Sequence, residues 1–160
     1  LSNGAFQHPK ATVLSEDGAK WLADCAPETL DFVLIDSSDP VGPNESLFNE
    51  AFYISLSKAL KPDGVVVKQS GCTLVQPEEA VETLNFYKQH FATWGLYRQN
   101  VPTYVGGDMT FAWACKGNVA LDAQPVEDPS FDTLHYTKRV HEGCFAMPRA
   151  LEDKINGMMA

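Results

Sequence analysis

Apolar positions along this 160-residue chain change period several times, and the changes mark out its elements. Phe32-Val33-Leu34-Ile35 and Val65-Val66-Val67 are unbroken apolar runs of strand length, as expected of strands buried on both faces. Ala11–Ser15 reads as a short strand ahead of them, and Gly18–Cys25 as a short helix closed before Pro27. A second strand is predicted over Asp31–Ile35. After a loop, Asn49–Leu60 takes helical spacing, with Phe48, Ala51, Phe52, Leu56 and Leu60 on one face. Lys61-Pro62-Asp63-Gly64 predicts a turn in which Pro presets φ and Gly takes the left-handed position. Val65–Gln69 follows as a strand expected to be central and parallel.

Pro77 opens the longest predicted helix, at a position where its missing N–H does no harm. Glu78, Glu79 and Glu82 sit near its start, where the helix dipole favours anions. Ala80, Leu84, Tyr87, Phe91 and Trp94 form its predicted buried face and Gly95 its end. Leu96–Tyr104 and Met109–Cys115 read as strands whose link, Val105–Asp108, permits only an antiparallel pair. The tail from Gly117 is polar and Pro-containing up to Phe145-Ala146-Met147-Pro148, and Arg149–Asn156 is a predicted closing helix. Strands alternating with helices predict an α/β domain: a mainly parallel sheet carrying helices on its faces, with a terminal antiparallel hairpin.

The net charge of −9 argues against a nucleic-acid binder, which needs a basic stripe to meet phosphates. It suits a cationic ligand, though acidity is also a common device for solubility. No apolar run approaches a membrane span, and Leu1-Ser2-Asn3-Gly4 has neither the basic nor the apolar part of a leader. It also lacks Met, so a natural chain start is not expected there. Cys25, Cys72, Cys115 and Cys144 lack zinc-site spacing, and His8, His90, His135 and His141 lack ligand spacing. No metal site is expected. A reducing cytoplasm is the natural compartment, and Trp21, Trp94 and Trp113 are expected in the core.

The segment richest in chemistry is Asp36-Ser37-Ser38-Asp39-Pro40-Val41-Gly42-Pro43, placed at the carboxyl end of a predicted strand. In open α/β sheets ligands bind in the crevice outside those ends. Two carboxylates on a Pro- and Gly-stiffened loop make a site for a cation, or for proton abstraction. An Asp-Ser pair after a strand equally makes a turn or a helix cap.

That loop, continued by Glu45-Ser46-Leu47-Phe48, together with Lys61-Pro62-Asp63-Gly64, Val101-Pro102-Thr103-Tyr104, Met109–Ala114 and the tail residues Tyr136, His141 and Phe145–Pro148, resembles spermidine synthase, the polyamine aminopropyltransferase family, and its bacterial members most. The resemblance implies a methyltransferase-like (Rossmann-like) sheet with a terminal hairpin. It further implies transfer of an aminopropyl group from decarboxylated S-adenosylmethionine to putrescine, giving spermidine and 5′-methylthioadenosine. No cofactor is implied, since decarboxylated S-adenosylmethionine is a co-substrate. Carried over residue by residue, Asp36 is the proton acceptor; Asp36, Ser37, Ser38 and Asp39 hold the polyamine, with Gln69 and Tyr104 lining its channel. Asp17 and Gly18 lie at the adenine, and Pro43 touches the thioadenosine group.

The family's N-terminal β-domain, its Gly-rich loop and the acidic residue for the ribose hydroxyls have no counterpart here. Residues 1–160 are therefore expected to be the carboxyl-terminal part of the catalytic domain, without its first βα units. Intact members are expected to be homodimers or homotetramers that bind neither nucleic acid nor membrane. Alternatives on the same frame are spermine- or thermospermine-forming enzymes and putrescine N-methyltransferase; another is a non-catalytic polyamine-binding fragment.

Overall fold

Leu56, Leu60, Val66, Ala112 and Ala114 have no solvent exposure and mark the plane between a sheet and its helical layer. The computed structural model describes residues 4–37, 42–123 and 126–160. The first helix, α1 (Gly18–Asp24), starts at Asp17, whose Oδ1 accepts from the backbone N–H groups of Ala19 (2.9 Å) and Lys20 (3.1 Å). Strand β1 (Leu30–Ile35) alternates. Val33 and Ile35 pack into the helical layer, while Phe32 and Leu34 face the other way and remain 54% and 73% exposed.

Helix α2 (Glu50–Ala59) is capped by Asn49, whose side chain accepts from the Phe52 N–H at 2.9 Å. It buries Phe52, Tyr53, Leu56 and Ala59, so Tyr53 takes the place predicted for Ala51, which is exposed. Strand β2 (Leu60–Gln69) begins directly after it and contains Lys61-Pro62-Asp63-Gly64. Leu30 pairs with Leu60 and Phe32 with Val65, so those residues bulge out of the ladder instead of reversing the chain. Gly64 is not among the glycines with positive φ. Its role is close approach: a Cβ there would meet Leu60 Cβ and the Lys61 N at 3.0 Å.

Helix α3 (Pro77–His90) buries Ala80, Val81, Thr83, Leu84 and Tyr87. It stops at His90, earlier than predicted, with Phe91 as its cap. Trp94 and Gly95 belong to β3 (Thr93–Asn100), which forms an antiparallel hairpin with β4 (Asp108–Cys115). Gly95 ends no helix; it makes room for the Trp113 indole, whose Cζ2 lies 2.9 Å from where a Cβ would sit.

The sheet order is β1-β2-β4-β3, with β1–β2 parallel and β2–β4 antiparallel. This is the expected α/β frame with its terminal hairpin. Its parallel part among the described residues is the β1–β2 pair. Ala11–Ser15 forms no strand, contrary to expectation. An extended segment needs a ladder partner, and Val13 and Leu14 instead stand 65% and 53% exposed.

One sheet face meets α1, α2, α3 and α5 (Arg149–Met159), the last burying Leu151 and Ile155. The other carries Val65, Val67, Trp113 and Cys115, packed by Val119–Leu121 and Phe145 from the tail. The tail also holds α4 (Lys138–Cys144), capped by Thr137 Oγ1 accepting from Val140 N–H at 3.1 Å and not anticipated from the sequence. No described helix is long and apolar enough to cross a membrane.

Candidate active site

Strand alternation decides what stands at the carboxyl end of the sheet. Register pairs Leu34 with Val67 and Ile35 with Lys68, which sets Asp36 and Gln69 opposite one another at the next step. Gln69 pairs in turn with Phe111, and Phe111 with Tyr97. Asp36, Gln69, Phe111 and Tyr97 thus form one row across three strand junctions, on the face away from the helices. Ile35 and Lys68 point the opposite way, into the helical layer.

Two clefts meet at this row. The first, of about 620 Å³, runs along β1 and is walled by Gly18, Trp21, Leu47, Phe52, Asp36 and Ser37. The second, of about 380 Å³, lies over the strand ends and is walled by Asp36, Gln69, Tyr97, Tyr104, Met109 and Phe111. Leu34, Ile35 and Asp36 belong to both. The Asp36 carboxylate is therefore the polar group standing where the two clefts join. Ser37 Oγ, beside it, is buried and has no hydrogen-bond partner among the described residues. Such a hydroxyl costs free energy unless something polar reaches it.

The second cleft is built on rigid parts. Tyr97 stacks on Phe111 with ring centroids 5.0 Å apart and planes 12° apart. Burial pushes the Tyr97 phenol up to about 12, so it stays protonated over the whole neutral range. Gln69 Nε2 donates to Met109 Sδ at 3.4 Å, which turns its amide oxygen into an available acceptor. Beyond Gln69, the Thr110 N–H bonds the Gly71 carbonyl at 2.8 Å and the Ser70 N–H bonds the Thr110 carbonyl at 2.9 Å. These ties hold the end of β2 against β4. Tyr104 stands 54% exposed at the rim, on a loop closed by the Tyr104 N–H to Val101 carbonyl bond (3.0 Å) and the Gly107 N–H to Tyr104 carbonyl bond (2.9 Å).

The structure brings Asp36, Gln69 and Tyr104 together in the second cleft, and Ser37 and Gly18 with Asp36 in the first. Asp17 is next to Gly18 but aims Oδ1 at the start of α1. Ser38 and Asp39 lie outside the described residues. Pro43 falls in the 3₁₀ segment Gly42–Phe48 that leads out of the acidic loop. Sequence reasoning missed Trp21, which was expected in the core and is 41% exposed on the first cleft. Its position one turn after Asp17-Gly18 was the available signal. It missed Tyr97 and Phe111 as well, because their pairing exists only once hairpin register is known.

The family model described as the spermine/spermidine synthase domain matches residues 1–123. Polyamine aminopropyltransferase 1 of Pseudomonas aeruginosa is 37% identical over 92% of this chain and 54% of its own length. Polyamine aminopropyltransferase of Escherichia fergusonii is 32% identical over 95% of this chain and 54% of its own. A crystal structure of spermidine synthase in complex with the transition state analogue AdoDATO superposes with a TM-score of 0.83 at 26% identity, covering 97% of this chain and 54% of that one. The chain spans about half the length of the relatives it matches. It belongs to the spermine/spermidine synthase family.

Proposed function

We propose that the site transfers an aminopropyl group from decarboxylated S-adenosylmethionine to putrescine, forming spermidine and 5′-methylthioadenosine. The observation that carries this reading is the place of Asp36 at the junction of two clefts, one for each reactant. The sulfonium donor occupies the first cleft, with its adenine toward Asp17 and Gly18 and its thioadenosine group near Pro43. The amine occupies the second, held by Asp36, Gln69 and Tyr104 on its walls, with Ser37, Ser38 and Asp39 of the loop after Asp36 completing the polyamine contacts.

An aliphatic ammonium of pKa ~10.4 has no lone pair to attack with. Asp36 attracts it and accepts its proton as it aligns, leaving a neutral amine. The amine nitrogen then bonds to the propyl carbon attached to sulfur. The C–S bond breaks, and its electron pair stays on sulfur as a neutral thioether, so the leaving group needs no acid. Apolar walls from Tyr97, Met109 and Phe111 strengthen the ammonium–carboxylate attraction by excluding water. Holding the nitrogen in line with the C–S bond supplies much of the remaining acceleration.

The test is turnover with both substrates, following methylthioadenosine, with Asp36→Asn as control. The expected outcome is release in the parent chain and a ~10²–10⁴-fold lower rate in the variant. Release that persists in the variant removes Asp36 from the mechanism. S-adenosylhomocysteine formed from intact S-adenosylmethionine would reassign the chemistry to methyl transfer. Putrescine binding without turnover would make this chain a binding module.

A further inference from the structure

Lys68 is fully buried, lines neither cleft, and points into the helical layer. Its Nζ donates to Thr83 Oγ1 of α3 at 3.1 Å and to the Tyr53 hydroxyl of α2 at 3.4 Å. The same ammonium lies over the Phe48 ring, 3.6 Å from its centroid. Phe48 is the last residue of Gly42–Phe48, the segment leading out of the acidic loop, and the next residue, Asn49, caps α2. Leu47 walls the first cleft. A hydrocarbon would fill this volume without the desolvation that a buried ammonium suffers. What the charge adds is attraction to the aromatic face, which strengthens when the cation is out of water.

We propose that Lys68 is a positioning residue whose buried ammonium clamps the Phe48 ring and so fixes the Gly42–Phe48 segment that forms the exit of the acidic loop and one wall of the donor cleft. The consequence for turnover rests on the proposed function; the clamp itself does not.

Among the described residues, the titratable and polar groups facing Lys68 come from α2 and α3. Helix α2 contributes Tyr53, and α3 contributes Thr83, Glu79 and Glu82. Tyr87 of α3 packs edge-on against Tyr53 behind them. Burial lowers the Lys68 amine from 10.5 to about 8, against the opposing pull of Glu79 and Glu82. Tyr53 and Tyr87 are both shifted upward by burial and remain neutral in that range. The clamp therefore weakens as pH rises through about 8.

Amide hydrogen exchange on the whole chain reads this directly and needs no substrate, so failed turnover leaves the result interpretable. Lys68→Met is expected to raise exchange over residues 42–48 about tenfold at pH 7, with α3 and β4 unchanged. Phe48→Leu, which removes the ring and keeps the lysine, should do the same. Corrected for intrinsic exchange, the parent chain should lose protection in 42–48 above pH 8, and Lys68→Arg, whose charge persists, should keep it. Should Lys68→Met fail to fold, Phe48→Leu and the pH series of Lys68→Arg carry the decision. Unchanged protection of 42–48 in the folded variants, or loss in step with α3, overturns the proposal.

Discussion

Two residues show how a side chain's surroundings, and not its type, settle its role. A glycine inside a strand ordinarily weakens it, yet Gly95 faces an indole with no space to spare. Trp113 is only 2% exposed and lies among Val65, Val67 and Cys115, so the ring has nowhere to withdraw. Gly95→Ala is expected to destabilise the fold by ~1–3 kcal/mol, the range for overpacking. A urea midpoint shift would show it, and an unchanged midpoint would mean that the hairpin opens at little cost. Asp17 poses a different question, because a cap and an adenine contact are both consistent with its position. Asn caps a helix as well as Asp does, whereas Ala loses ~1 kcal/mol. Asp17→Ala should therefore lower stability by about that amount and Asp17→Asn should not. A weaker affinity of Asp17→Asn for methylthioadenosine would then assign the carboxylate to the ligand as well as to the helix.

At the scale of elements, what was legible in the sequence was whatever depended on local period and punctuation. The strand over Phe32–Ile35, the helix following Asn49 with Phe52 and Leu56 on its buried face, and Pro77 opening α3 all reappear in the fold, although Phe32 and Leu34 are exposed where burial was expected. Leu56 has no exposure, so Leu56→Ala should cost ~2–5 kcal/mol and report on the whole α2–sheet contact by chemical denaturation. The failures share a cause: burial by a distant partner looks the same as burial by the local period. Trp94 continues the spacing of α3 but is packed from β3, where hairpin pairing outweighs helix propensity. The Pro62–Gly64 stretch has turn composition and is held as a bulge, because Leu60 already pairs with Leu30 before it. Helix α4 is too short to show a period, and only Thr137 signals it. Of the candidate site, the acidic residue at a strand end was readable from β1 alone. The row it forms with Gln69, Phe111 and Tyr97 was not, since it exists only through register between strands far apart in sequence.

At the scale of the whole molecule, the buried titratable groups make stability depend on pH in a way that separates Lys68 from the rest. An unfolded lysine keeps its proton up to about 10.5, whereas folded Lys68 releases it near 8. Between those values the unfolded chain binds more protons, so stability rises with pH, by up to ~3 kcal/mol over the full interval. Tyrosines act with the opposite sign. Burial holds Tyr53 and Tyr97 protonated to about 12 and raises Tyr87 well above the usual value too, while unfolded tyrosines ionise near 10. Above pH 10 the folded chain is therefore the one that binds more protons, and stability falls. The urea midpoint is expected to climb from pH 8 to a maximum near 10 and then decline. Lys68→Met should abolish the climb and keep the decline, whereas a climb that survives in the variant would trace it to another group. The clamp on Phe48 makes the same titration act locally with the reverse sign. Over pH 8 to 10 the domain as a whole gains stability while residues 42–48 lose their anchor, a divergence that a purely structural lysine would not produce.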